Sequence, residues 1–193
     1  MSLVIINYNA GNVQSVTYAL QRLGVEPVLS DDPETIRSAD KVIFPGVGEA
    51  STAMKFLREK KLDEVIKSLK QPVFGVCLGL QLLCRHSEEN NTDCLGIFDV
   101  QVRKFEPKLK VPQMGWNNLE KMHSPLFDGL PEEPYVYYVH SYYAELSEWT
   151  VAETEYVNRF SAALQKDNFY ALQAHPEKSG RVGEQILQNF LKL

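Results

Sequence analysis

The first half of the chain alternates short apolar runs with stretches in which apolar residues recur at helical spacing. A short apolar run bounded by turn residues is typical of a buried strand, and recurrence every three or four residues is typical of a helix with one buried face. Strands are therefore predicted at residues 3–8, 26–30, 41–45 and 72–76. The apolar residues that predict helices between and after them are Val13, Val16, Leu20, Leu23, Ala53, Met54, Leu57, Leu62, Val65, Ile66 and Leu69. Because neighbouring parallel strands need a crossover connection, this alternation predicts a parallel sheet with helices on both faces.

The second half has a different pattern, in which runs rich in Val and Tyr are joined by short polar turns. Such runs are typical of antiparallel strands, and they occupy residues 99–105, 134–146, 148–156 and 160–175. Residues 179–193 are predicted to form a closing helix, with Val182, Ile186, Leu187 and Phe190 on its apolar face. The predicted fold class is α/β, an open mixed sheet with a parallel core flanked by helices and an antiparallel β extension in the second half.

Composition and charge narrow the classes of protein that fit this pattern. The 193 residues are 44% hydrophobic, which suits one globular domain spanning residues 1–193. The formal net charge is -5 and no basic block is present, so nucleic-acid binding is not indicated. An apolar run of about 18 residues, the length that spans a membrane, is absent, and the first residues do not resemble a signal peptide. No membrane association and a cytoplasmic location are expected.

The three cysteines are an odd number without a C-x-x-C pair, which fits neither a disulfide framework nor a zinc site. Reduced thiols are therefore expected, and no metal or cofactor is predicted. Cys84 stands among leucines and is predicted to be a core residue. Cys94 lies in a polar segment with no base or metal ligand near it in sequence, so no role is predicted for it.

Cys77 stands between Gly75 and Gly79, directly after a predicted buried strand and before a helical pattern. The G-x-C-x-G arrangement is typical of a nucleophile elbow, a tight turn that presents a reactive side chain at the carboxyl edge of a parallel sheet. The N-terminus of the following helix would stabilise a thiolate, and the N–H of Leu78 would be free to face a developing oxyanion. A buried structural cysteine is the alternative, since that is the usual role of a free thiol.

A thiol nucleophile needs a general base, and the base needs a group that fixes its tautomer. His175 follows a strand-like run, and Glu177 stands two residues later, across a proline that favours an extended backbone before it. These two residues are the best candidates for base and orienting acid. His140 is the second candidate base, with no acid near it in sequence, whereas His86 and His123 have polar surroundings typical of the surface.

Two short strings that contain these residues resemble the motifs of a known protein family. The strings Gly75-Val-Cys77-Leu-Gly79-Leu-Gln81 and His175-Pro-Glu177 resemble the class I (triad) glutamine amidotransferases, which implies a flavodoxin-like fold. Within that class, the strings NYNAGN, FPGVGEAS, VPQMGWN, YYVHSYY and QAHPEKSG resemble the glutaminase subunits of imidazole glycerol phosphate synthases, over essentially the whole chain. The chain departs from the usual pattern by having Ala174 in place of an aromatic residue and Asn7-Tyr-Asn9 in place of Asp-Tyr-Gly.

The resemblance implies a role for each matching residue. Cys77 would attack the side-chain amide of glutamine, His175 would carry the proton to the departing ammonia, and Glu177 would orient His175. The implied oxyanion donors are the N–H groups of Leu78, Val47 and Gly48, in a loop that would reorient when a partner is loaded. The implied glutamine-binding residues are Gly48, Gln81, Glu89, Ser141 and Tyr142. An acid such as Glu89 suits the ammonium of glutamine, and a neutral donor such as Gln81 suits its carboxylate.

The resemblance also implies a partner, a (β/α)8-barrel cyclase subunit that receives the ammonia. The cyclase would produce imidazole glycerol phosphate and aminoimidazole carboxamide ribotide in histidine biosynthesis. The residues that match positions at this interface are Asn12, Trp116, Tyr137 and Lys178. From the residues alone, Trp116 and Tyr137 fit a packed core as well as an interface, and Gln81 and Glu89 fit a solvated helix face.

Three other functions fit parts of the sequence. An amidotransferase subunit for anthranilate or purine synthesis would commonly carry a histidine at the position of Leu80 and would lack the Met-Gly-Trp-Asn string. A stand-alone thiol hydrolase, such as a γ-glutamyl peptidase, would need no partner. A non-catalytic binding module would not need Cys77, His175 and Glu177 intact. Glutamine hydrolysis measured with and without a partner separates these alternatives.

Overall fold

The computed structural model describes all 193 residues of the chain. The helices are α1 (Val13–Arg22), α2 (Pro33–Ser38), α3 (Ala50–Glu59), α4 (Leu62–Ser68), α5 (Leu78–Leu83) and α6 (Gly180–Lys192). The strands are β1 (Leu3–Ile6), β2 (Val28–Ser30), β3 (Lys41–Phe44), β4 (Val73–Val76), β5 (His86–Ser87), β6 (Thr92–Asp93), β7 (Gln101–Lys104), β8 (Gln113–Asn118), β9 (Tyr135–His140), β10 (Tyr142–Ala144), β11 (Thr150–Glu155), β12 (Arg159–Lys166) and β13 (Phe169–Leu172). Short 3-10 helices occupy Glu89–Asn91, Pro125–Phe127 and Pro176–Lys178.

Eleven strands form one mixed sheet, and β8 and β9 form a separate antiparallel pair. Five neighbouring strands, in the order β2-β1-β3-β4-β13, are parallel. Beyond β13, the pairing through β12, β10 and β7 is antiparallel. Strand β5 then runs parallel to β7 and antiparallel to the edge strand β6, and β11 pairs antiparallel with β12. A parallel core of this strand order is that of flavodoxin-like sheets, so the predicted fold class is confirmed.

Strand β13 corrects the prediction that the strand-like runs of the second half are antiparallel throughout. It pairs antiparallel with β12 on one side and parallel with β4 on the other, where Leu172 lies opposite Val76. Hydrophobic alternation decides which face a side chain takes, but it does not set the direction of a strand. The carboxyl ends of β4 and β13 therefore lie side by side. The predicted strand at residues 134–146 is also interrupted at Ser141, so that β9 and β10 belong to different sheets.

Two apolar clusters cover the two faces of the parallel sheet. In β1, Leu3 and Ile5 belong to the cluster that includes residues of α1 and α6, whereas Val4 and Ile6 belong to the cluster that includes residues of α2 to α5. Strands buried on both faces appear in the sequence as continuous apolar runs. This burial explains why β1, β3 and β4 could be predicted, whereas Val28 and Leu29 of the edge strand β2 are exposed.

Helix α2 is not predicted by the hydrophobic pattern, because Ile36 is its one buried residue. Its beginning is marked instead by Asp32, whose carboxylate accepts a hydrogen bond from the N–H of Thr35 at 2.8 Å, and by Pro33 in the first turn. None of the six helices is both long and apolar enough to cross a membrane.

Candidate active site at the carboxyl ends of β4 and β13

Cys77 lies at the turn between β4 and α5, with φ of 52° and ψ of -105°, a conformation that a residue with a side chain rarely adopts. A Cβ on Gly79 would lie 2.0 Å from the carbonyl oxygen of Phe44, and a Cβ on Gly75 would lie 2.7 Å from the side chain of Leu83. Both flanking positions therefore require glycine. Backbone strain at a strand-to-helix turn is a feature of functional sites, and this geometry favours the elbow over a core cysteine.

His175 is the third residue after the end of β13. Because β13 pairs in parallel with β4, the histidine lies close to the Cys77 turn that follows β4. Its Nδ1 lies 2.7 Å from Oε1 of Glu177, and both side chains are fully buried. A carboxylate can only accept, so Nδ1 carries a proton. Nε2 has no hydrogen-bond partner, so it is the nitrogen available to a thiol. Burial lowers the pKa of His175, but the nearby Cys77 sulfur and the Glu177 carboxylate outweigh burial and raise it to about 10.

The turn that carries this histidine and glutamate is fixed by its neighbours. His175 is extended, with φ of -98° and ψ of 94°, and Pro176 then begins a 3-10 turn that brings Glu177 back onto the imidazole. The hydroxyl of Ser179 donates to the His175 carbonyl at 2.6 Å. Helix α6 packs so closely that a Cβ on Gly183 would lie 1.9 Å from the Pro176 carbonyl oxygen. A rigid helix therefore supports the base and its orienting acid.

Asn12 makes a further contact with this pair. It precedes α1 in a left-handed conformation, with φ of 74°. Its Nδ2 donates to Oε1 of Glu177 and lies 3.4 Å from Nδ1 of His175. The resemblance implied that Asn12 lies at a partner interface. In the structure its side-chain amide is hydrogen-bonded to the buried carboxylate of Glu177. Because Asn12 is half-buried, the same residue can reach both the carboxylate and the surface.

The N–H of Leu78 is occupied in this structure, because it donates to the carbonyl of Gly46 at 3.1 Å. The expectation that this N–H is free to face an oxyanion is therefore wrong for this conformation. The N–H groups of Val47 and Gly48, the other expected donors, donate to no protein group. The Leu78 N–H, which an oxyanion would need as a donor, is thus hydrogen-bonded to the Gly46 carbonyl instead.

The same loop is held at two further carbonyl groups. The hydroxyl of Tyr8 donates to the carbonyl of Pro45, and the N–H of Gly11 donates to the carbonyl of Val47 at 3.2 Å. A Cβ on Gly46 would lie 2.1 Å from the Tyr8 hydroxyl oxygen, so a larger residue would not fit there. Three successive carbonyl groups are therefore bound by protein donors, which gives this loop conformation a defined set of contacts.

A cavity of about 270 Å³ opens at Cys77 and is partly walled by Leu78, Val139 and His140. Its walls also contain every residue that the resemblance assigned to glutamine, namely Gly48, Gln81, Glu89, Ser141 and Tyr142. These residues come from the β3–α3 loop, from α5, from the 3-10 turn after β5 and from the start of β10. The structure thus brings together residues that are far apart in sequence, around the sulfur of the candidate nucleophile.

Gln81 is buried, at 4% exposure, and does not lie on a solvated helix face. Its Nε2 donates to the carbonyl of Tyr142 and to Oε1 of Gln173, both at 3.0 Å. Both amide hydrogens are therefore used, and the atom left for a ligand is the carbonyl oxygen, which is an acceptor. The expectation that Gln81 supplies a donor for a carboxylate is therefore wrong, and its oxygen suits an ammonium.

Glu89 is half-buried in the 3-10 turn after β5 and lies at the cavity wall. Its Oε2 accepts a hydrogen bond from the N–H of Ala50 at 2.7 Å. Burial raises the pKa of the Glu89 carboxyl, while the Ala50 N–H opposes that change. A carboxylate that is partly removed from water gains most from a cationic partner. Glu89 and the Gln81 oxygen, whose residues line the same cavity, are therefore the two acceptors available to an ammonium.

His140, the second candidate base, lies in the cavity wall but is committed to the fold. Its Nδ1 donates to the carbonyl of Tyr142 at 2.7 Å, and its Nε2 lies 2.9 Å from the Gln113 side chain. Burial lowers the pKa of His140 to about 4, so it is neutral at physiological pH. His123 is exposed and His86 is half-buried beside an aspartate, which agrees with their predicted lack of a catalytic role.

The β8–β9 hairpin has an exposed apolar face. Met114, Trp116 and Tyr135 are 58%, 56% and 59% exposed, and the Trp116 ring packs edge-on against Tyr137 at 5.9 Å between centroids. The alternative that Trp116 is a core residue is therefore excluded, and Tyr137 is half-buried. Lys178, the remaining expected interface residue, is exposed on the turn that carries the base.

One polar residue beside the sulfur is not among the predicted site residues. Gln173 is fully buried, and its Nε2 donates to Sγ of Cys77 at 3.6 Å. The sequence contains a weak sign of this contact, since Gln173 is a lone amide in the apolar run YALQA and stands two residues before His175. Residues two apart at a strand end share a face, so the spacing places both side chains toward the Cys77 turn.

Comparison with known proteins decides the family. The model of the glutamine amidotransferase class-I family matches residues 4–193 of the chain. The chain belongs to this family. The amidotransferase is 60% identical to "imidazole glycerol phosphate synthase subunit HisH" of Bacteroides thetaiotaomicron and 46% identical to the protein of that name in Escherichia coli K12, with 100% of each chain covered in both comparisons.

Solved structures agree on the fold of the amidotransferase. A crystal structure of a glutamine amidotransferase has a TM-score of 0.76 at 20% identity, and it covers 98% of this chain and 97% of its own. The structure of PurLQS from Thermotoga maritima has a TM-score of 0.75 at 17% identity, with 99% and 97% covered. At these identities the likeness concerns the fold, and it includes the parallel core that carries Cys77 and His175.

Treating the amidotransferase with iodoacetamide near neutral pH should label Cys77 at least about tenfold faster than Cys84 or Cys94. Burial raises the pKa of the Cys84 thiol well above its usual value and raises that of Cys94 to about 12, so both remain protonated and unreactive. Cys77, by contrast, borders the cavity, and its sulfur is close enough to His175 to raise the pKa of that imidazole. Mass mapping of peptides after partial reaction measures the selectivity. Labelling all three cysteines at equal rates would contradict the assignment of Cys77 as the reactive thiol.

Proposed function

We propose that this chain is the glutaminase subunit of an imidazole glycerol phosphate synthase, acting in the cytoplasm as one domain of residues 1–193. The observation that carries the proposal is the arrangement of Cys77, His175 and Glu177 at a cavity with an acceptor pair for an ammonium. Relatives named as subunits of that synthase match the whole chain at 46% to 60% identity, which supports the choice of pathway.

The reaction follows from the positions of three side chains. Nε2 of His175 takes the proton of the Cys77 thiol as the sulfur forms a bond to the side-chain amide carbon of glutamine, and the π-electron pair of the carbonyl moves onto its oxygen. His175 delivers a proton from Nε2 to the amide nitrogen, so that ammonia leaves as the carbonyl reforms in a thioester. Water, deprotonated by His175, then cleaves the thioester to glutamate and the free thiol. Glu177 accepts the hydrogen bond from Nδ1–H throughout the reaction, which keeps Nε2 directed at the reacting atoms.

The ligand-binding groups fix which end of glutamine lies where. The Gln81 oxygen and the Glu89 carboxylate accept from the α-ammonium, because the Gln81 NH2 group is already used and Glu89 is the carboxyl group in the cavity wall. The hydroxyl of Ser141, the backbone beside Tyr142 and the free N–H of Gly48 are the groups left to position the α-carboxylate and the side-chain amide. A zwitterionic amino acid therefore finds complementary groups for both of its charges.

Oxyanion binding requires a change in the β3–α3 loop. As long as the Gly46 carbonyl accepts from Leu78, an oxyanion at Cys77 lacks that donor. Rotation of the peptide between Gly46 and Val47 would release the Leu78 N–H and turn the Val47 N–H toward the sulfur. Loss of one oxyanion donor costs about 10²–10³ in kcat, so the chain in the present conformation should be a slow glutaminase.

A partner that docks near the base explains how this change is linked to ammonia use. The proposed partner is a (β/α)8-barrel cyclase that consumes the ammonia, and its docking surface comprises Asn12, Trp116, Tyr137 and Lys178. Tyr137 is bound to the catalytic turn by both backbone groups, since its carbonyl accepts from His175 at 2.8 Å and its N–H donates to Ser179 at 2.9 Å. Exposed aromatic residues of this kind are common at the centre of interfaces.

Glutamine hydrolysis should rise at least about 10²-fold when the cyclase subunit and its ribonucleotide substrate are added. Ammonia release or glutamate formation is measured for the chain alone, with the cyclase, and with the loaded cyclase. A matched control replaces Trp116 with alanine, which should weaken complex formation and leave the slow activity of the isolated chain unchanged. Fast hydrolysis without any partner would favour a stand-alone hydrolase, and no hydrolysis in any mixture would exclude a glutaminase.

A further inference from the structure

We propose that Gln173 donates a hydrogen bond to the Cys77 sulfur that stabilises the thiolate form of the nucleophile and holds the sulfur in position to attack. This inference rests on the proposed function, since it concerns the same site. Gln173 follows β13, and its backbone N–H donates to the carbonyl of Ala162 at 2.8 Å, which fixes the residue to β12. Its side chain is fully buried and reaches the Cys77 turn.

The direction of the hydrogen bond to sulfur is set by a backbone group. The carbonyl of Tyr142 can only accept, so the Gln81 side chain must present its NH2 group to it. The second hydrogen of that NH2 group points at the Gln173 side chain, which must then present its oxygen. The NH2 group of Gln173 is therefore left facing Sγ of Cys77, at 3.6 Å. An inverted Gln173 amide would place two NH2 groups against each other.

The sulfur consequently meets a donor on one side and an acceptor on another. In the thiol form, S–H can donate to the carbonyl of Val139, 3.8 Å from Sγ. In the thiolate form, the sulfur accepts from Gln173 and can pair with the His175 imidazolium. A hydrogen bond to a charged group is stronger than one to a neutral group, so the Gln173 contact favours the reactive form of Cys77.

The chain of amides also connects the nucleophile with the glutamine cavity. Gln81 lines the cavity, its NH2 group holds Gln173, and its carbonyl oxygen is the atom left for a ligand. An ammonium bound to the Gln81 oxygen would polarise the Gln81 amide and strengthen its donation to Gln173. Hydrogen bonds in such a chain reinforce one another, so occupancy of the ammonium site would strengthen the bond from Gln173 to Cys77.

The test measures the rate of Cys77 alkylation by iodoacetamide against pH in the full chain and in two variants. Gln173→Glu keeps an acceptor for Gln81 but places a carboxylate oxygen at the sulfur, and Gln173→Met keeps the volume without a donor. In both variants the pH midpoint of the alkylation rate should rise, by about one pH unit, and kcat/KM for glutamine in the loaded complex should fall at least about tenfold. The matched control is Gln165→Met on β12, whose Oε1 has no partner and which should behave as wild type.

A measurement on the wild-type chain covers the case in which the variants do not fold. The side-chain amide NMR signals of Gln173 should shift with the same pH midpoint as alkylation of Cys77, and they should lose that shift after alkylation. Signals that do not respond to the state of Cys77 would overturn the proposal.

The outcomes separate this inference from the proposed function. If folded Gln173 variants raise KM for glutamine while the alkylation midpoint and kcat stay unchanged, Gln173 only supports Gln81 and the proposed bond to sulfur is wrong. If the wild-type complex releases no ammonia while the alkylation midpoint still shifts in the variants, the glutaminase proposal fails and the contact between Gln173 and Cys77 stands.

Discussion

Replacing Cys77 with alanine should reduce glutamine hydrolysis in the loaded complex by at least about four orders of magnitude. The thioester cannot form without the sulfur, and water has no activated path to the amide carbon, since the base is placed for a group at the elbow. Alanine is smaller than cysteine and adopts the same backbone conformation at similar cost, so the turn between β4 and α5 should persist. Ammonia release from glutamine measures the loss.

Binding of the cyclase subunit to Cys77→Ala should remain within about twofold of wild type, because the proposed docking surface does not include the sulfur. The matched control is Cys84→Ala. Cys84 is fully buried, and its S–H donates to the Leu80 carbonyl at 3.4 Å, so this variant should lose about 1 kcal/mol or more of folding free energy but keep its turnover. If Cys77→Ala retains more than a few per cent of the wild-type rate, the sulfur is not the nucleophile.

The features that could be predicted from the sequence are those set by neighbouring residues. Gly75 and Gly79 flank the elbow because a side chain at either position would clash. A Cβ on Gly75 would meet Leu83 in the helix after the turn, and a Cβ on Gly79 would meet the Phe44 carbonyl of the adjacent strand. The His175 and Glu177 pair was predictable because two residues of spacing across a proline restrict the backbone. Strands β1, β3 and β4 could be predicted because burial on both faces leaves an uninterrupted apolar run.

The features that could not be predicted depend on pairing between distant segments. The direction of β13 follows from its position between β4 and β12, and alternation of apolar residues carries no sign of it. The occupied Leu78 N–H depends on where the Gly46 carbonyl points, which a glycine-rich string leaves open. The orientation of Gln81 depends on the carbonyl of Tyr142, which lies 61 residues away in the chain. From its residue type alone, Gln81 is predicted to offer its NH2 group to the substrate, whereas the structure leaves its carbonyl oxygen for that role.

Replacing Glu177 with glutamine should lower kcat/KM for glutamine by about 10³-fold, because it removes a charge and leaves the geometry. The amide oxygen of the variant can accept from His175 and from Asn12, as Oε1 of the glutamate does. The NH2 group would take the place of Oε2, which has no partner in the buried pocket. The imidazole therefore keeps its tautomer while it loses the carboxylate that stabilises its protonated form.

The pH dependence of this variant distinguishes a lost charge from a lost fold. His175 must be protonated to deliver a proton to the departing amide nitrogen, and in the wild type its pKa is raised to about 10, against burial, by Cys77 and Glu177 together. Without the carboxylate the pKa of His175 falls, so the alkaline limb of the kcat/KM profile should move to lower pH. Glu184→Gln, which removes an equal charge from the exposed side of α6 near Arg22, should leave the profile unchanged. An alkaline limb that stays in place in Glu177→Gln would mean that Glu177 does not stabilise the imidazolium, and the triad would then reduce to Cys77 and His175.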